Sequence, residues 1–147
     1  MKRQLQILFL SIYIIIINSC GGSIQTISVD IKCDDNCNKT NAIVVKIYQL
    51  KNADKFRNAT FESLLSTPEE ILKDDLIPDS GYEKTLIPGE SFKISEYEIK
   101  PDAGYLGIVG DFYAPAKDSW FQVIAVHDID KLNIMVHENS ISITKED

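Results

Sequence analysis

The chain has 147 residues, with 15 Lys and Arg against 22 Asp and Glu, and a formal net charge of −7 at pH 7. This length suits a single domain with its own hydrophobic core and is short for two domains. The excess of acidic residues argues against binding to nucleic acid, or to an anionic lipid surface, through charge alone.

The N-terminal segment has the organisation of a secretory signal peptide. Two basic residues, Lys2 and Arg3, precede an apolar stretch over residues 5–17. This stretch is shorter than the roughly 20 apolar residues that a membrane-spanning helix needs. A basic start, an apolar middle and small residues before the cut are typical of a signal peptide that is cleaved. We therefore expect residues 1–19 to be removed.

Cys20 stands directly after this segment. The stretch Ile17-Asn18-Ser19-Cys20 resembles the lipobox of bacterial lipoproteins, in which the cysteine is acylated and becomes the new N-terminus. Ile17 and Ser19 fit that pattern, whereas Asn18 departs from it because a small or apolar residue is usual there. The alternative is ordinary signal cleavage without a lipid. Gly21 follows the cysteine where an aspartate would signal retention at the inner membrane, so the resemblance implies the outer membrane, with the protein facing the periplasm.

The rest of the chain then divides into a short lipidated tether, residues 20–25, and one domain, residues 26–147. Without residues 1–19 the formal net charge becomes −9, because that segment carries two basic residues and no acidic ones. Attachment to the membrane must therefore come from the acyl chains, and two or more chains hold stably where one holds reversibly.

Cys33 and Cys37 remain once Cys20 is assigned to a lipid. An even pair of cysteines in an oxidising compartment favours a disulfide, which here would rigidify a local turn. Two free thiols or a metal site are the alternatives. A metal would need further ligands, and the two histidines, His127 and His137, have no companion at a ligand spacing. We expect no metal and no cofactor beyond the lipid.

The first strands are indicated by alternation and by β-branched residues. Residues 26–32 alternate apolar and polar side chains, as a half-buried strand does. Residues 33–41 are polar apart from the cysteines and predict an exposed loop. Residues 42–50 are rich in β-branched side chains and predict a central, buried strand.

The next segment changes to a helical period. The apolar residues of 52–65 recur at a spacing near 3.6, which predicts one short amphipathic helix. Thr67 and Pro68 then open another helical turn, with Thr67 expected to cap it in a capping box with Glu70.

Strand patterns return from residue 82. Turn residues separate these strands at short intervals. The whole chain then has eight predicted strands, with one helical insertion after the second. This pattern predicts an all-β, two-sheet β-sandwich. The predicted later strands are residues 82–87, 91–99, 105–113, 120–127, 131–137 and 141–144.

The order of these motifs resembles TssJ, the family of outer-membrane lipoproteins of the type VI secretion system. The resemblance implies a transthyretin-like β-sandwich with a helical insertion after the second strand, and no catalytic role. It also implies a partner, the periplasmic C-terminal region of the inner-membrane protein TssM, within a TssJ-TssL-TssM complex. The residues that carry the resemblance are Cys20, the strand 44–50, Phe56, Leu64 and Leu65, the stretch 86–90, the strand 105–112 and Trp120.

The same resemblance implies that the loop between the first two strands contacts the partner. Relatives often carry a proline in this loop, and this chain has none there, so the cysteine pair would replace proline as the rigidifying device. The alternative is a solvated loop without a binding role. The contact residues implied in this chain are Asp34, Asp35, Asn36, Asn38, Lys39, Thr40 and Asn41.

Two other classes of function remain open from the residues. A β-sandwich lipoprotein that binds a small ligand would have a concave apolar pocket with a few convergent polar groups. A small hydrolase would use Asp111 or a histidine, but no G-x-S-x-G motif and no phosphate-binding loop is present in the sequence.

Phe56 and Trp120 are expected to be core residues.

Overall fold

The computed structural model describes residues 24–147, and eight strands form two four-stranded sheets, as predicted. Sheet A has the order β4-β1-β7-β8 and sheet B the order β3-β2-β5-β6. Strands β1 and β7 run parallel, and every other neighbouring pair is antiparallel. The strands are β1 Gln25–Cys33, β2 Ile43–Leu50, β3 Tyr82–Leu86, β4 Ser91–Ile99, β5 Tyr105–Gly110, β6 Phe121–Ala125, β7 Lys131–Val136 and β8 Ile141–Glu146. The predicted signal peptide, Cys20 and most of the tether lie outside the described residues.

The core lies between the two sheets because alternate residues of each strand point inward. Val29 and Ile31 of β1 are paired with Leu132 and Ile134 of β7, and all four are almost fully buried. Sheet B contributes in the same way through buried residues such as Ile47, paired with Ile108. At about 25 cal/mol per Å² of apolar surface buried, such contacts dominate the stability of the domain.

The helical insertion covers the middle of the outer face of sheet B, where Tyr48 and Gly107 are buried. Its α-helices are α1 Asp54–Asn58, α2 Phe61–Ser66 and α3 Pro68–Leu72, and a short 3-10 helix, Lys73–Asp75, follows them. The ring of Phe56 lies over Gly107 of β5, where an added Cβ would come within 2.6 Å of the ring. A glycine at this position therefore lets helix α1 approach the sheet closely.

The prediction of one continuous helix over residues 52–65 was wrong. Ala59 adopts an extended conformation (φ −75°, ψ 155°), which separates α1 from α2. Thr60 then caps α2: its side chain accepts a hydrogen bond from Ser63 N, and the Ser63 hydroxyl accepts one from Thr60 N. A polar residue that satisfies the first free amides of a helix favours a new start at this point.

The capping box predicted at Thr67 was also wrong, although Pro68 does occupy the first turn of α3. The Thr67 side chain makes no capping hydrogen bond. Its backbone carbonyl instead accepts hydrogen bonds from Glu70 N and Ile71 N, at 3.1 and 3.2 Å. These amides are therefore satisfied without a side chain.

Two strand boundaries also differ from those predicted around residues 111–120. Strand β5 ends at Gly110, because Phe112 turns into the core and its N–H bonds to the Gly110 carbonyl. Strand β6 begins at Phe121, one residue after Trp120. Trp120 is buried with its ring 5.2 Å from that of Phe61, so the predictions of Phe56 and Trp120 as core residues are confirmed.

The strand directions divide the loops between two ends of the sandwich. We call one the distal end: it carries the loops 34–42, 87–90, 111–120 and 137–140, which follow β1, β3, β5 and β7. The start of β1 at Gln25 lies at the opposite end. Within residues 24–147 no helix is both long and apolar enough to cross a bilayer.

Candidate functional site

The loop between β1 and β2 is closed at its base by a disulfide between Cys33 and Cys37. The two Cα atoms are 5.7 Å apart, and both side chains are fully buried. A turn between them is completed by a hydrogen bond from Cys37 N to the Asp34 carbonyl. The expectation of a loop exposed throughout residues 33–41 was therefore wrong, because its cysteines belong to the core.

The backbone after Cys37 adopts an unusual conformation. Asn38, Lys39 and Thr40 have φ values of 48°, 53° and 64°, in the left-handed region. Asparagine tolerates this region, whereas a β-branched threonine rarely adopts it. The Asn41 side chain stabilises the turn, since its amide donates to the carbonyls of Asn38 and Lys39 at 3.0 and 3.1 Å. Strain of this kind persists where the surrounding contacts determine the shape of the loop.

Asn38 braces the loop from inside. Its side chain is 3% exposed, so it is the one residue of the predicted contact set that is buried. The side-chain amide donates to the Ala42 carbonyl at 2.6 Å, and the side-chain oxygen accepts from the Tyr113 amide at 2.7 Å. The sequence pattern did not indicate this role, because an asparagine among polar neighbours is typical of a solvated loop.

Asp34 ties the start of the loop to the β7–β8 turn. Its Oδ2 lies 2.8 Å from His137 Nδ1, and His137 Nε2 lies 2.9 Å from the hydroxyl of Ser142 on β8. The backbone of Asp34 also bonds to the Val136 carbonyl and to the Gly89 amide. The loop is thus connected to its neighbours at the distal end.

The remaining predicted contact residues form the outer surface of the loop. Asp35, Asn36, Lys39, Thr40 and Asn41 are all exposed. Among residues 24–147, neither Asp35 nor Lys39 lies within 4 Å of an opposite charge. Their charges are therefore available to another molecule.

Asp34, His137 and Ser142 have the connectivity of a hydrolase triad, which the sequence did not reveal. A triad also needs backbone donors aimed at the oxyanion beside the nucleophile. Ser142 lies within the extended strand β8, opposite Met135 of β7, and not on a sharp turn that would present such donors. We assign these contacts to the positioning of the loop.

The other residues considered for chemistry are not brought together. Asp111 is exposed, and its amide bonds to the Val44 carbonyl at the end of β5. His127 is exposed and lies 3.0 Å from Asp128 alone. Within the described part of the chain, no three His, Cys, Asp or Glu residues are grouped so that they would hold a metal ion.

A groove of about 620 Å³ crosses the middle of sheet A. All four strands of the sheet line it, with side chains that include Asp30, Lys32, Lys93, Asn133 and Met135. This is the concave surface that a ligand-binding function would use.

The two sheets, the helical layer and the braced distal loop define an all-β sandwich domain. A family model described as "Type VI secretion lipoprotein, VasD, EvfM, TssJ" matches residues 25–140. The chain belongs to this family. No curated protein sequence matched the chain.

Solved structures share the fold. The type VI secretion lipoprotein TssJ1 from Pseudomonas aeruginosa has a TM-score of 0.77 at 22% identity, over 85% of this chain and 98% of that chain. A chain of a structure described as the type VI membrane complex has a TM-score of 0.74 at 25% identity, over 83% and 99%. A chain of a structure described as the TssM C-terminal domain from EAEC has a TM-score of 0.69 at 24% identity, over 81% and 97%.

Proposed function

We propose that this protein is an outer-membrane lipoprotein that tethers the type VI secretion membrane complex. After removal of residues 1–19, acyl chains on Cys20 anchor it with the domain in the periplasm. Its partner is the periplasmic C-terminal region of a TssM-like inner-membrane protein, within a TssJ-TssL-TssM-type complex. Membership of the lipoprotein family and the likeness to a chain of the type VI membrane complex support this proposal.

The observation that carries the proposal is the braced loop at the distal end. A loop that is ordered before binding loses less conformational entropy when the complex forms. Asp35, Asn36, Lys39 and Thr40 present their side chains to the partner. Asp34 and Asn38 act indirectly, because their side chains hold the loop in shape, and the exposed Asn41 does both, since its amide also braces the turn.

The direction of β1 suits a tether between two membranes. The tether, with its lipid on Cys20, leads into the first residue of β1, and the β1–β2 loop follows the last residue of that strand. Strand β1 has nine residues and therefore spans roughly 30 Å. The loop is thus held away from the anchored end, toward a partner that rises from the inner membrane.

The proposed role requires no catalysis and no cofactor beyond the lipid. The protein supplies an anchor at one end and a binding surface at the other. Anchoring with two or more acyl chains is effectively stable, whereas one chain would release the complex.

The groove on sheet A supports the second candidate, a periplasmic lipoprotein that binds a small ligand. Drug-sized ligands usually bind in concave sites lined mainly by hydrophobic and aromatic side chains. The accessible lining of this groove is mainly apolar, with Phe92, Met135 and Ile143, and charged side chains such as Asp30 and Lys93 stand among them. We rank it second because the chain belongs to a family of secretion lipoproteins.

Calorimetric titration of residues 21–147 against the periplasmic C-terminal region of the TssM-like protein from the same cell tests the proposal. We expect saturable binding that is weakened when residues 34–41 are replaced by a Gly/Ser linker. A double charge reversal, Asp35→Lys with Lys39→Glu, keeps the disulfide and the Asn38 brace and is expected to weaken binding too. Replacement of Pro101 and Asp102, in the β4–β5 turn at the other end, is the matched control.

If binding survives both loop changes, the proposed tether function would stand, but the β1–β2 loop would not be the binding site. The absence of binding at micromolar concentrations, with the domain shown to be folded, would contradict the tether. A search for small ligands that raise the melting temperature would then test the groove.

A further inference from the structure

We propose that the docking surface extends beyond the β1–β2 loop to two exposed apolar side chains, Tyr113 and Ile87. They flank that loop at an end of the sandwich where exposed acidic residues outnumber basic ones, and they fit a partner that offers apolar pockets bordered by lysine or arginine side chains. This inference rests on the proposed function, since the partner is the same TssM-like periplasmic region.

Tyr113 is the most exposed large apolar side chain among residues 24–147, at 79%. Its backbone is nevertheless fixed on its N-terminal side. Phe112, the preceding residue, is buried, and the Tyr113 amide donates to the buried side chain of Asn38. An aromatic ring on a fixed backbone has few rotatable bonds to order on binding, which is the character of residues that dominate binding energy at interfaces.

Ile87 is 59% exposed on a tight turn. The Ile87 amide donates to the Glu90 carboxylate at 3.0 Å, and the Ile87 carbonyl accepts from Glu90 N at 3.0 Å. Gly89, with φ +80°, supplies the positive φ that the turn requires. The Gly89 amide in turn bonds to the Asp34 carbonyl, so this turn is attached to the β1–β2 loop.

The topology places the two side chains on either side of that loop. Sheet B has the order β3-β2-β5, and the loop enters the sheet through β2. Ile87 directly follows β3, where Leu86 pairs with Ile43 of β2. Tyr113 follows β5, where Gly110 pairs with Val45. Strands two places apart in a sheet are separated by about 10 Å.

The exposed charges of the distal loops are acidic in balance. Six exposed charged residues of the distal loops have no opposite charge within 4 Å among residues 24–147. Four of them are acidic and two are basic. They are Asp35, Asp111, Asp118 and Glu138 against Lys39 and Lys117. A basic surface around an apolar pocket is therefore the complementary partner, and the association rate should fall as salt is added.

Biolayer interferometry on the lipoprotein extracted from its own membranes in mild detergent, with the TssM-like periplasmic region immobilised, tests this. We expect Tyr113→Ala to raise Kd about tenfold or more and Ile87→Ser to raise it severalfold. Tyr113→Phe keeps the ring and is expected to stay within about threefold of the unaltered protein. Ile24→Ser is the matched control, because Ile24 is 61% exposed but lies at the opposite end of β1.

The outcomes separate this inference from the proposed function. If the unaltered protein binds and the Kd of Tyr113→Ala is within about twofold of its Kd, the extension of the docking surface is wrong and the tether function stands. An equal loss for Ile24→Ser would also overturn the inference, because the effect would not belong to the distal end. If the unaltered protein does not bind, the proposed function fails and this inference fails with it.

Discussion

His137 holds Asp34 at 2.8 Å between Nδ1 and Oδ2, and so fastens the first residue of the β1–β2 loop to the turn between β7 and β8. The two residues are 103 positions apart in the chain. A ring N–H that donates to a carboxylate makes a charge-assisted hydrogen bond, because the acceptor is ionised. This contact orients the loop that carries the proposed binding side chains.

Removal of the imidazole should loosen the loop while the sandwich stays folded. For His137→Ala we expect a loss of about 1 to 2 kcal/mol in the free energy of unfolding, because its hydrogen bonds to Asp34 and Ser142 are both lost. Amide hydrogen exchange within residues 34–42 should become faster. Ser142→Ala is the control, since it leaves the Asp34 contact in place and should change stability by less than about 0.5 kcal/mol.

Hydrolysis of p-nitrophenyl acetate by the same variants distinguishes positioning from catalysis. We expect no turnover that depends on Ser142. Turnover abolished by Ser142→Ala would contradict the assignment of these contacts to the loop.

The disulfide should contribute modestly to global stability and strongly to the shape of the loop. Closing so short a ring in the unfolded chain is worth about 2 kcal/mol in the chain-entropy treatment. Cys33→Ala with Cys37→Ala should lower the free energy of unfolding by about this amount or somewhat more, because two buried side chains are shortened.

Thiol labelling checks the pairing directly. Iodoacetamide should modify neither Cys33 nor Cys37 in the native domain, and should modify both after denaturation with a reductant. Labelling of the denatured protein without a reductant would show that the two cysteines are not joined in a disulfide.

Gly107 should resist substitution because of the ring above it. An added Cβ would lie 2.6 Å from the Phe56 ring, so Gly107→Ala must push helix α1 away from sheet B. We expect a loss of about 1 to 3 kcal/mol in the free energy of unfolding, as for other overpacked sites. Gly81→Ala is the matched control, because a Cβ there meets nothing within 4 Å. Similar urea midpoints for the two variants would contradict this packing.

Tyr48 should make the domain sensitive to high pH. Burial, with smaller contributions from Glu69 and Glu83, raises the pKa of Tyr48 from 10.0 to about 12. The unfolded chain therefore loses this proton at a lower pH than the folded chain does. Stability is complete below pH 10 and is lost as the pH rises toward 12, by roughly 2 to 3 kcal/mol in all.

Urea unfolding between pH 9 and 12 measures this loss. Tyr48→Phe removes the ionisable group and should flatten the curve, although it also loses the hydrogen bond from the hydroxyl to the Leu64 carbonyl. Some slope should remain, because burial also raises the pKa of Tyr97. An unchanged slope in Tyr48→Phe would contradict the assignment.

Most of the sandwich was predictable because its strands carry local patterns. Residues 26–32 alternate with period two and form most of β1, and residues 42–50 include β2. The boundaries around the helical layer were less predictable. The break at Ala59 depends on the cap that Thr60 makes with Ser63, and this cap lacks the acidic residue by which a capping box is usually recognised.

The candidate site was predicted only in outline. The resemblance to a family singled out the loop 34–41, and the contact of its residues with a partner stays a prediction. The burial of Asn38 and the contact between Asp34 and His137 were not predicted. No periodicity encodes them, because each depends on a partner more than 70 positions away in the chain.

The sequence by itself determined the eight strands, the acidic character and the N-terminal signal pattern, because alternation, charge and segment composition are local properties. The tertiary structure alone decided which loops share the distal end. Strand order and direction bring residues 34–42, 87–90, 111–120 and 137–140 together. Hydrogen bonds that the side chains of Asn38 and Asp34 accept then fasten the β1–β2 loop to its neighbours. The buried Asn38 also helps to fix Tyr113 beside that loop.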